Sequence, residues 1–242
     1  MQAQNGTPHG TAQRAGVLLA PGVVLAVGLW LVITAWPRLG PSVAYLPVEK
    51  ALSRHWSGEP IEPEQLSALA ARAETILARR SVPRVHDGAA ILRYLDAATP
   101  GHSPGERAMR LQDARAHTRA SLASSPLQPA AWLRLAILRD ALGETPARIA
   151  DALALSVYSG RVEPSLLLTR LQWLLAYRQH IAAEDLRLLP DQALLTWHSQ
   201  PKALLQAILS GDIAYAQLAD ILARHQPAAL DAIDEALAPL VR

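Results

Sequence analysis

Residues 101–105 read Gly-His-Ser-Pro-Gly and fit the G-x-S-x-G pattern around the nucleophilic serine of serine hydrolases. In that motif the serine follows a strand, and the next residue donates its backbone N–H to the oxyanion. Pro104 has no N–H, and the preceding Ala-Ala-Thr-Pro is not strand-like. A capping box explains these residues better, with Ser103 at the N-cap, Pro104 at N1 and Glu106 at N3 of a helix.

An acid and a base, Asp113 and His117, lie four residues apart on the same predicted helix. They share one helical face, where they could bind a metal ion or form an ion pair. No third ligand stands at a recognisable spacing, so a surface contact is the favoured interpretation. The absence of cysteine excludes thiolate metal sites and thiol catalysis, and no P-loop or dinucleotide motif occurs. We therefore predict a protein that is not an enzyme, with no catalytic, cofactor-binding or metal-binding residues and with partner-binding residues unassigned.

Basic residues cluster at one place in the sequence, namely at Arg79, Arg80, Arg84 and Arg93 with His86. The net charge is only +2, whereas a nucleic-acid-binding protein normally shows a concentrated basic face. We interpret the cluster as a solvated surface, with contact to anionic lipid headgroups or to an acidic glycan as the alternative. We expect neither a nucleic-acid partner nor a small-molecule substrate.

The composition favours an all-α fold. Half of the 242 residues are apolar, yet only 5% are aromatic and phenylalanine is absent. The core must therefore consist of leucine, alanine and isoleucine, and leucine and alanine are strong helix formers. The length suits one domain of ordinary size with an appendage.

A membrane anchor is predicted near the N-terminus. Residues 16–36 contain no charged side chain, and a helix of this length spans roughly 30 Å, the thickness of the hydrocarbon core. We predict a disordered tail over residues 1–14 and one transmembrane helix over residues 15–36. A signal peptide cleaved after the small residues 42–44 is the rival interpretation, although the apolar run is long for one.

Charges flanking the predicted span indicate its orientation. Arg14 and the amino terminus lie on one side, and Arg38 is the only basic residue within ten residues on the other. A short tail is easily retained in the cytoplasm. We therefore expect a single-pass protein of the bacterial inner membrane with its C-terminal domain in the periplasm. The prolines within residues 37–47 predict a stiff linker. Residues 48–242 are predicted to form a helical-repeat domain.

Prolines also mark helix starts in the second half of the chain. Pro129, Pro164, Pro201 and Pro227 each follow glutamine or glutamate, and apolar residues begin one or two positions after each of them. A proline at the first helical position loses no intrahelical hydrogen bond. The successive intervals are 35, 37 and 26 residues, and periods in the mid-thirties are typical of helical-hairpin repeats. The last, shorter unit is predicted to be a polar terminal cap.

The helix predicted from Pro129 has apolar residues on two faces. Such a helix needs neighbours on both sides, as in a stacked array. The two apolar stripes are Trp132, Leu135, Leu138 and Leu142, and Leu133, Ile137 and Ala141. We predict core positions for Trp132, Trp173 and Trp197, with a peptide-binding or sugar-binding groove as the alternative.

Two further helices are predicted from local signals. Asp87 is a candidate N-cap for a helix that continues through Asp96. A second helix is predicted over residues 183–197, with a kink at Pro190.

This region resembles a tetratricopeptide repeat (TPR). The matching residues are Trp132, Leu135, Ala136 and Gly143, preceded by Ala114, Leu122 and Pro126 of an earlier unit. Arg139 departs from the pattern, because an aromatic residue is usual there. The resemblance covers roughly residues 105–160. It implies a right-handed α-solenoid of helical hairpins that binds protein partners in a groove.

A second likeness concerns residues 152–171 and residues 191–201, which are similar to helical proteins from proteobacterial exopolysaccharide and envelope gene clusters. Together, the resemblances imply a non-enzymatic, membrane-anchored scaffold or adaptor. It would bind protein partners in cell-envelope or exopolysaccharide biogenesis. The alternative is a small structural subunit of a larger integral-membrane complex.

Overall fold

A computed structural model describes the backbone of residues 12–240 and the side chains of residues 24–34 and 40–240. Over this range the regular structure is entirely helical, which confirms the all-α prediction. The α-helices are α1 (Ala12–Trp56), α2 (Pro63–Arg79), α3 (Pro83–Ala98), α4 (Pro104–Ser124), α5 (Pro129–Ala141), α6 (Pro146–Ser159), α7 (Leu167–Ala176), α8 (Leu188–Ser199), α9 (Pro201–Leu209), α10 (Tyr215–His225) and α11 (Pro227–Leu237). Short 3-10 helices cover Pro164–Leu166, Arg178–His180 and Ala183–Asp185.

Proline begins most of these helices, as the sequence predicted. Pro129, Pro201 and Pro227 begin α5, α9 and α11, and Pro164 begins the 3-10 turn that leads into α7. The capping box of α4 is also confirmed. The Ser103 backbone N–H donates to the Glu106 carboxylate at 2.8 Å, and the Glu106 N–H donates to Ser103 Oγ at 3.3 Å.

Two local predictions are wrong. Helix α3 begins at Pro83 rather than after Asp87, because proline at N1 sets the start one turn earlier. Asp87 instead accepts a hydrogen bond from Arg134 at 2.6 Å. Helix α8 begins at Leu188, so Pro190 lies in its first turn, where the missing N–H costs little and requires no kink.

Residues 37–47 do not form a separate linker, because they belong to the continuous helix α1. Tyr45 and Val48 are buried there and pack with residues of α2 and α3. This packing stabilises the helix although Pro41 and Pro47 each remove one backbone hydrogen bond. The packed core thus already includes Tyr45, three residues before the predicted domain start at residue 48.

The predicted tail and membrane segment lie partly outside the described part of the chain. Residues 1–11 of the tail are not described, and neither are the side chains of residues 15–23 and 35–36 of the predicted span. Among the described residues, no helix is both long enough and apolar enough to cross a membrane.

Helices that are consecutive in sequence pack against each other, as α3 with α4, α5 with α6, α7 with α8 and α10 with α11. The largest apolar core extends from α5 to α11, and a second core joins α1, α2 and α3. Leucine, alanine and isoleucine supply most of the buried apolar side chains, as predicted, and Val48, Val85, Val157 and Tyr45 supply the others among the described residues.

A buried arginine joins three successive helices. Arg170 of α7 is fully buried and donates from Nε to Ser156 Oγ at 2.9 Å, from Nη2 to the Ser156 carbonyl at 2.8 Å and from Nη1 to the Gly160 carbonyl at 2.8 Å. Ser156 Oγ in turn donates to the Pro129 carbonyl at 2.7 Å. Burial lowers the pKa of Arg170 to about 10, although the charge of Glu163 acts in the opposite direction. We call Pro129, Ser156, Gly160 and Arg170 the arginine node.

A side-chain hydrogen bond to the carbonyl of a helix-starting proline occurs at Pro83 and Pro164 as well as at Pro129. Ser121 Oγ, near the end of α4, donates to the Pro83 carbonyl at 3.1 Å. Gln200 Nε2, at the end of α8, donates to the Pro164 carbonyl at 2.6 Å. In each case a polar side chain at the end of one helix binds the carbonyl that begins an earlier helix. These bonds fix the pairing within the hairpins.

Replacement of Arg170 by alanine should destabilise the protein by about 3–5 kcal/mol, because it leaves a cavity and removes the donors from buried oxygens. The stability of Arg170→Lys should lie between those of wild type and Arg170→Ala, since an ammonium group lacks the planar guanidinium fork. Arg224→Ala is the control, because Arg224 is exposed and pairs only with Asp220 on its own helix. Chemical denaturation measures the free energies of unfolding. Equal stability of Arg170→Ala and wild type would contradict the structural role of the node.

Gly88 of α3 is required by the close approach of Tyr45. A Cβ atom built on Gly88 would lie 1.7 Å from the Tyr45 hydroxyl oxygen, whereas Gly105 has open space at the same position. We expect Gly88→Ala to destabilise the protein by about 1–3 kcal/mol through overpacking. Gly105→Ala should be neutral or slightly stabilising. Unfolding free energies of the two variants test this difference, which would vanish if α1 did not pack on α3.

Candidate functional site

Ser103 is engaged in helix capping. Its hydroxyl is 2.8 Å from Glu106 Oε2 and also accepts the Glu106 N–H. These bonds from Ser103 lower the pKa of the Glu106 carboxyl. The neighbouring His102 pairs with Asp96 at 3.2 Å. The residues of the G-x-S-x-G pattern thus form the start of α4.

A buried carboxylate connects the end of α3 with α4. Asp96 accepts a hydrogen bond from Arg110 Nε at 2.8 Å and lies 3.2 Å from His102 Nε2. The sequence does not indicate a role for Asp96, because its hydrogen-bond partners His102 and Arg110 lie 6 and 14 residues further along the chain. The arrangement satisfies a buried charge with basic partners, which is the usual condition for burying a carboxylate.

Two histidines meet between α3 and α4. The Nδ1 atoms of His86 and His117 are 3.1 Å apart, and Ser81 Oγ lies 3.1 Å from His86 Nε2. One Nδ1 must carry a proton and donate it to the other, since two protonated rings would repel each other. Burial lowers the pKa of both rings, and the charge of His117 lowers that of His86 further.

The predicted pairing of Asp113 with His117 is replaced by the histidine contact. Burial lowers the pKa of His117, and the charges of Glu74 and Asp113 partly oppose this lowering. Within the described part of the chain, no three histidine, aspartate or glutamate side chains are placed to hold a metal ion.

The predicted basic cluster is divided between two environments. Arg84 pairs with Glu49 of α1, and Arg93 pairs with Glu74 of α2. Arg79 and Arg80 line a groove between α1 and α2. The sequence places these arginines together but does not indicate that Arg79 and Arg80 line a groove.

The α1–α2 groove has a volume of about 660 Å³. Its wall from α1 consists of Gly40, Pro41 and Ala44, and its wall from α2 of Arg72, Thr75, Ile76, Arg79 and Arg80. Arg72 Nε donates to the Ala44 carbonyl at 2.7 Å. The described lining residues include three arginines and no carboxylate, so the groove presents basic side chains.

The tryptophans of the C-terminal region are packing residues. Trp132, Trp173 and Trp197 are partly buried and pack against the largest core. Trp132 Nε1 also donates to the Pro126 carbonyl at 2.7 Å, which fixes the turn before α5. Trp173 stacks on Tyr177 with ring centroids 5.9 Å apart.

No family model matches the chain, and no curated protein or solved structure matches it. The resemblances to TPR repeats and to exopolysaccharide-cluster proteins therefore stay predictions. The candidate site with the clearest chemistry is the α1–α2 groove, which has the charge and the arginine geometry for an anion.

The histidine pair should make the protein less stable in mild acid. The unfolded chain takes up protons near the ordinary pKa of 6.5, whereas the folded chain takes them up only at lower pH. The contribution of the pair is therefore complete above pH 6.5 and declines as the pH falls below it. We expect a His86→Gln, His117→Gln variant to lose less Tm than wild type between about pH 7.5 and pH 5.5.

Calorimetry measures the decline in Tm of wild type and of the double variant. The control is His225→Gln, which replaces an exposed histidine at the end of α10. The control should follow wild type. An identical decline in Tm for the double variant and wild type would show that the pair does not titrate with folding.

Proposed function

We propose that this protein is a non-enzymatic scaffold anchored in the membrane by α1, whose helical domain binds protein partners in cell-envelope or exopolysaccharide biogenesis. The observation that carries the proposal is the exposed apolar stretch of α1. This stretch is continuous with a helix that is packed into the domain.

The exposed stretch supports a membrane anchor. All eight large apolar side chains of residues 24–33 are at least half exposed, and residues 16–36 contain no charge. Such a surface is unfavourable in water, since burying one such side chain contributes about 1.5–3 kcal/mol. A helix that is apolar on all sides suits lipid. The flanking charges favour the bacterial inner membrane with the domain in the periplasm.

The packing of α1 determines how the anchor would present the domain. Ile33 is exposed, whereas Tyr45 is buried, and both lie on one helix. The separation of twelve positions corresponds to about 18 Å at a helical rise of about 1.5 Å. The domain would therefore lie directly on the membrane surface in a fixed pose, which suits a scaffold.

The hairpins supply the surface for partners. We propose that their sequential packing, together with the helix-start bonds at Pro83, Pro129 and Pro164, forms a TPR-like right-handed solenoid. Exposed leucines lie on separate parts of it, at Leu127 and Leu209. Exposed apolar groups of this kind are frequent in protein interfaces.

Site-specific photo-crosslinking in the native membrane tests the scaffold function. A photoreactive amino acid placed in turn at Met109, Leu127 and Leu209 of the full chain should give a discrete protein adduct from at least one of these positions. The same probe at the fully buried Leu153 is the control and should give none. Absence of adducts at every exposed position would contradict partner binding.

The alternative of a small structural subunit predicts a different property of the domain. Residues 40–242 retain Tyr45 and the core of α1, so a scaffold domain of this length should be soluble and monomeric. Light scattering of the purified fragment measures its mass. Aggregation that is relieved only by other membrane components would favour the subunit.

A further inference from the structure

We propose that the α1–α2 groove binds the phosphate group of an anionic lipid headgroup. This inference rests on the proposed anchoring of α1 and adds a second, electrostatic contact between the domain and the membrane. It concerns the residues that line the groove and requires no protein partner.

The arginines of the groove have the chemistry for phosphate. Arg72 and Arg79 lie seven residues apart on α2, so they share one helical face, and Arg80 directly follows the end of α2. A guanidinium group presents a planar fork of donors that matches a phosphate bidentately. The bond from Arg72 Nε to the Ala44 carbonyl holds that guanidinium at the groove. The two terminal nitrogens of Arg72 make no hydrogen bond within the described residues.

Two of the groove arginines, Arg72 and Arg79, have no acidic partner among the described residues. Arginines elsewhere pair with carboxylates, such as Arg115 with Glu144 at 2.5 Å and Arg134 with Asp87 at 2.6 Å. Arg72 and Arg79, by contrast, form no ion pair with any described residue, and the described lining residues include no aspartate or glutamate. An anionic ligand would therefore relieve the repulsion between these positive charges.

The position of the groove favours a lipid over a soluble anion. Gly40 and Pro41 form its wall on α1, and Thr34 ends the described apolar stretch six residues before Gly40. Six helical residues correspond to about 9 Å. The headgroup layer extends roughly 5–8 Å beyond the hydrocarbon core. A phosphate of a neighbouring lipid would thus lie at the depth of the arginines.

The remaining lining is suited to the rest of a lipid headgroup. Pro41, Ala44 and Ile76 provide apolar surface beside the arginines, and Thr75 provides a hydroxyl. The apolar side chains can contact the glycerol and upper acyl carbons while the guanidinium groups bind the phosphate. A volume of about 660 Å³ accommodates a headgroup of this size.

Lipid retention by the full-length protein in detergent tests the proposal. Native mass spectrometry measures the phosphatidylglycerol and phosphatidylcholine that remain bound at equal concentrations. The groove variant combines Arg72→Gln, Arg79→Gln and Arg80→Gln. The control combines Arg107→Gln, Arg119→Gln and Arg224→Gln, which removes the same charge from exposed positions outside the groove. Circular dichroism verifies that all proteins are folded.

We expect wild type and the control to retain phosphatidylglycerol preferentially. The groove variant should bind it about tenfold to hundredfold more weakly, since each basic side chain contributes a several-fold factor near an anionic surface. Equal retention by the groove variant and the control would overturn the proposal.

Two further measurements separate the possible explanations. Inorganic pyrophosphate is the soluble probe, and an increase in Tm with pyrophosphate but no preference for phosphatidylglycerol would overturn the assignment to a lipid. Extraction of native membranes with alkaline carbonate tests the anchor by itself. Release of the protein by carbonate would contradict the proposed anchoring. An anchored protein without lipid preference would contradict only the groove site.

Discussion

The C-terminal half of this fold depends on a buried positive charge that is bound only by neutral oxygens. Arg170 makes its three hydrogen bonds to Ser156 and Gly160, and Ser156 binds the first residue of α5. Burying a charge without a carboxylate is costly, so the oxygens must be held in place by the packing of all three helices. The same packing needs a glycine at position 160, because a Cβ there would lie 2.8 Å from the Pro129 ring. The hydrogen bonds of Arg170 and the close packing of α5, α6 and α7 therefore depend on each other.

The sequence predicted features whose causes are local. A proline at N1 and a serine three residues before a glutamate act within one helical turn, so the starts at Pro129 and Pro201 and the capping box of Ser103 could be predicted. The pairs that organise the candidate sites are not local, since His86 and His117 are separated by 31 residues. No spacing rule connects them, and only tertiary packing brings them together. The linker prediction failed for the same reason, because burial of Tyr45 outweighed the prolines of α1.

The groove could be predicted only in part from the sequence. The sequence indicated a basic cluster, for which contact with anionic lipid headgroups was one interpretation. It did not identify Arg72, which belongs to the groove, or the carboxylates that pair with Arg84 and Arg93. The proposed anchor, groove and hairpins are consistent with a single position of the protein relative to the membrane. Helix α1 would span the lipid, the groove would lie at the headgroups, and the hairpins would extend from the membrane surface toward a protein partner.

The central claim is that the apolar stretch of α1 lies in lipid while the helical domain lies outside it. The chain contains no cysteine, so single cysteines can be introduced without background labelling. The direct measurement is the labelling of Leu29→Cys and Leu127→Cys in native membranes with a membrane-impermeant maleimide. Both positions are exposed on the protein surface. The account predicts that Leu127→Cys reacts when the periplasmic face is accessible, whereas Leu29→Cys reacts only after detergent dissolves the membrane. Equal labelling of the two cysteines in intact membranes would contradict it.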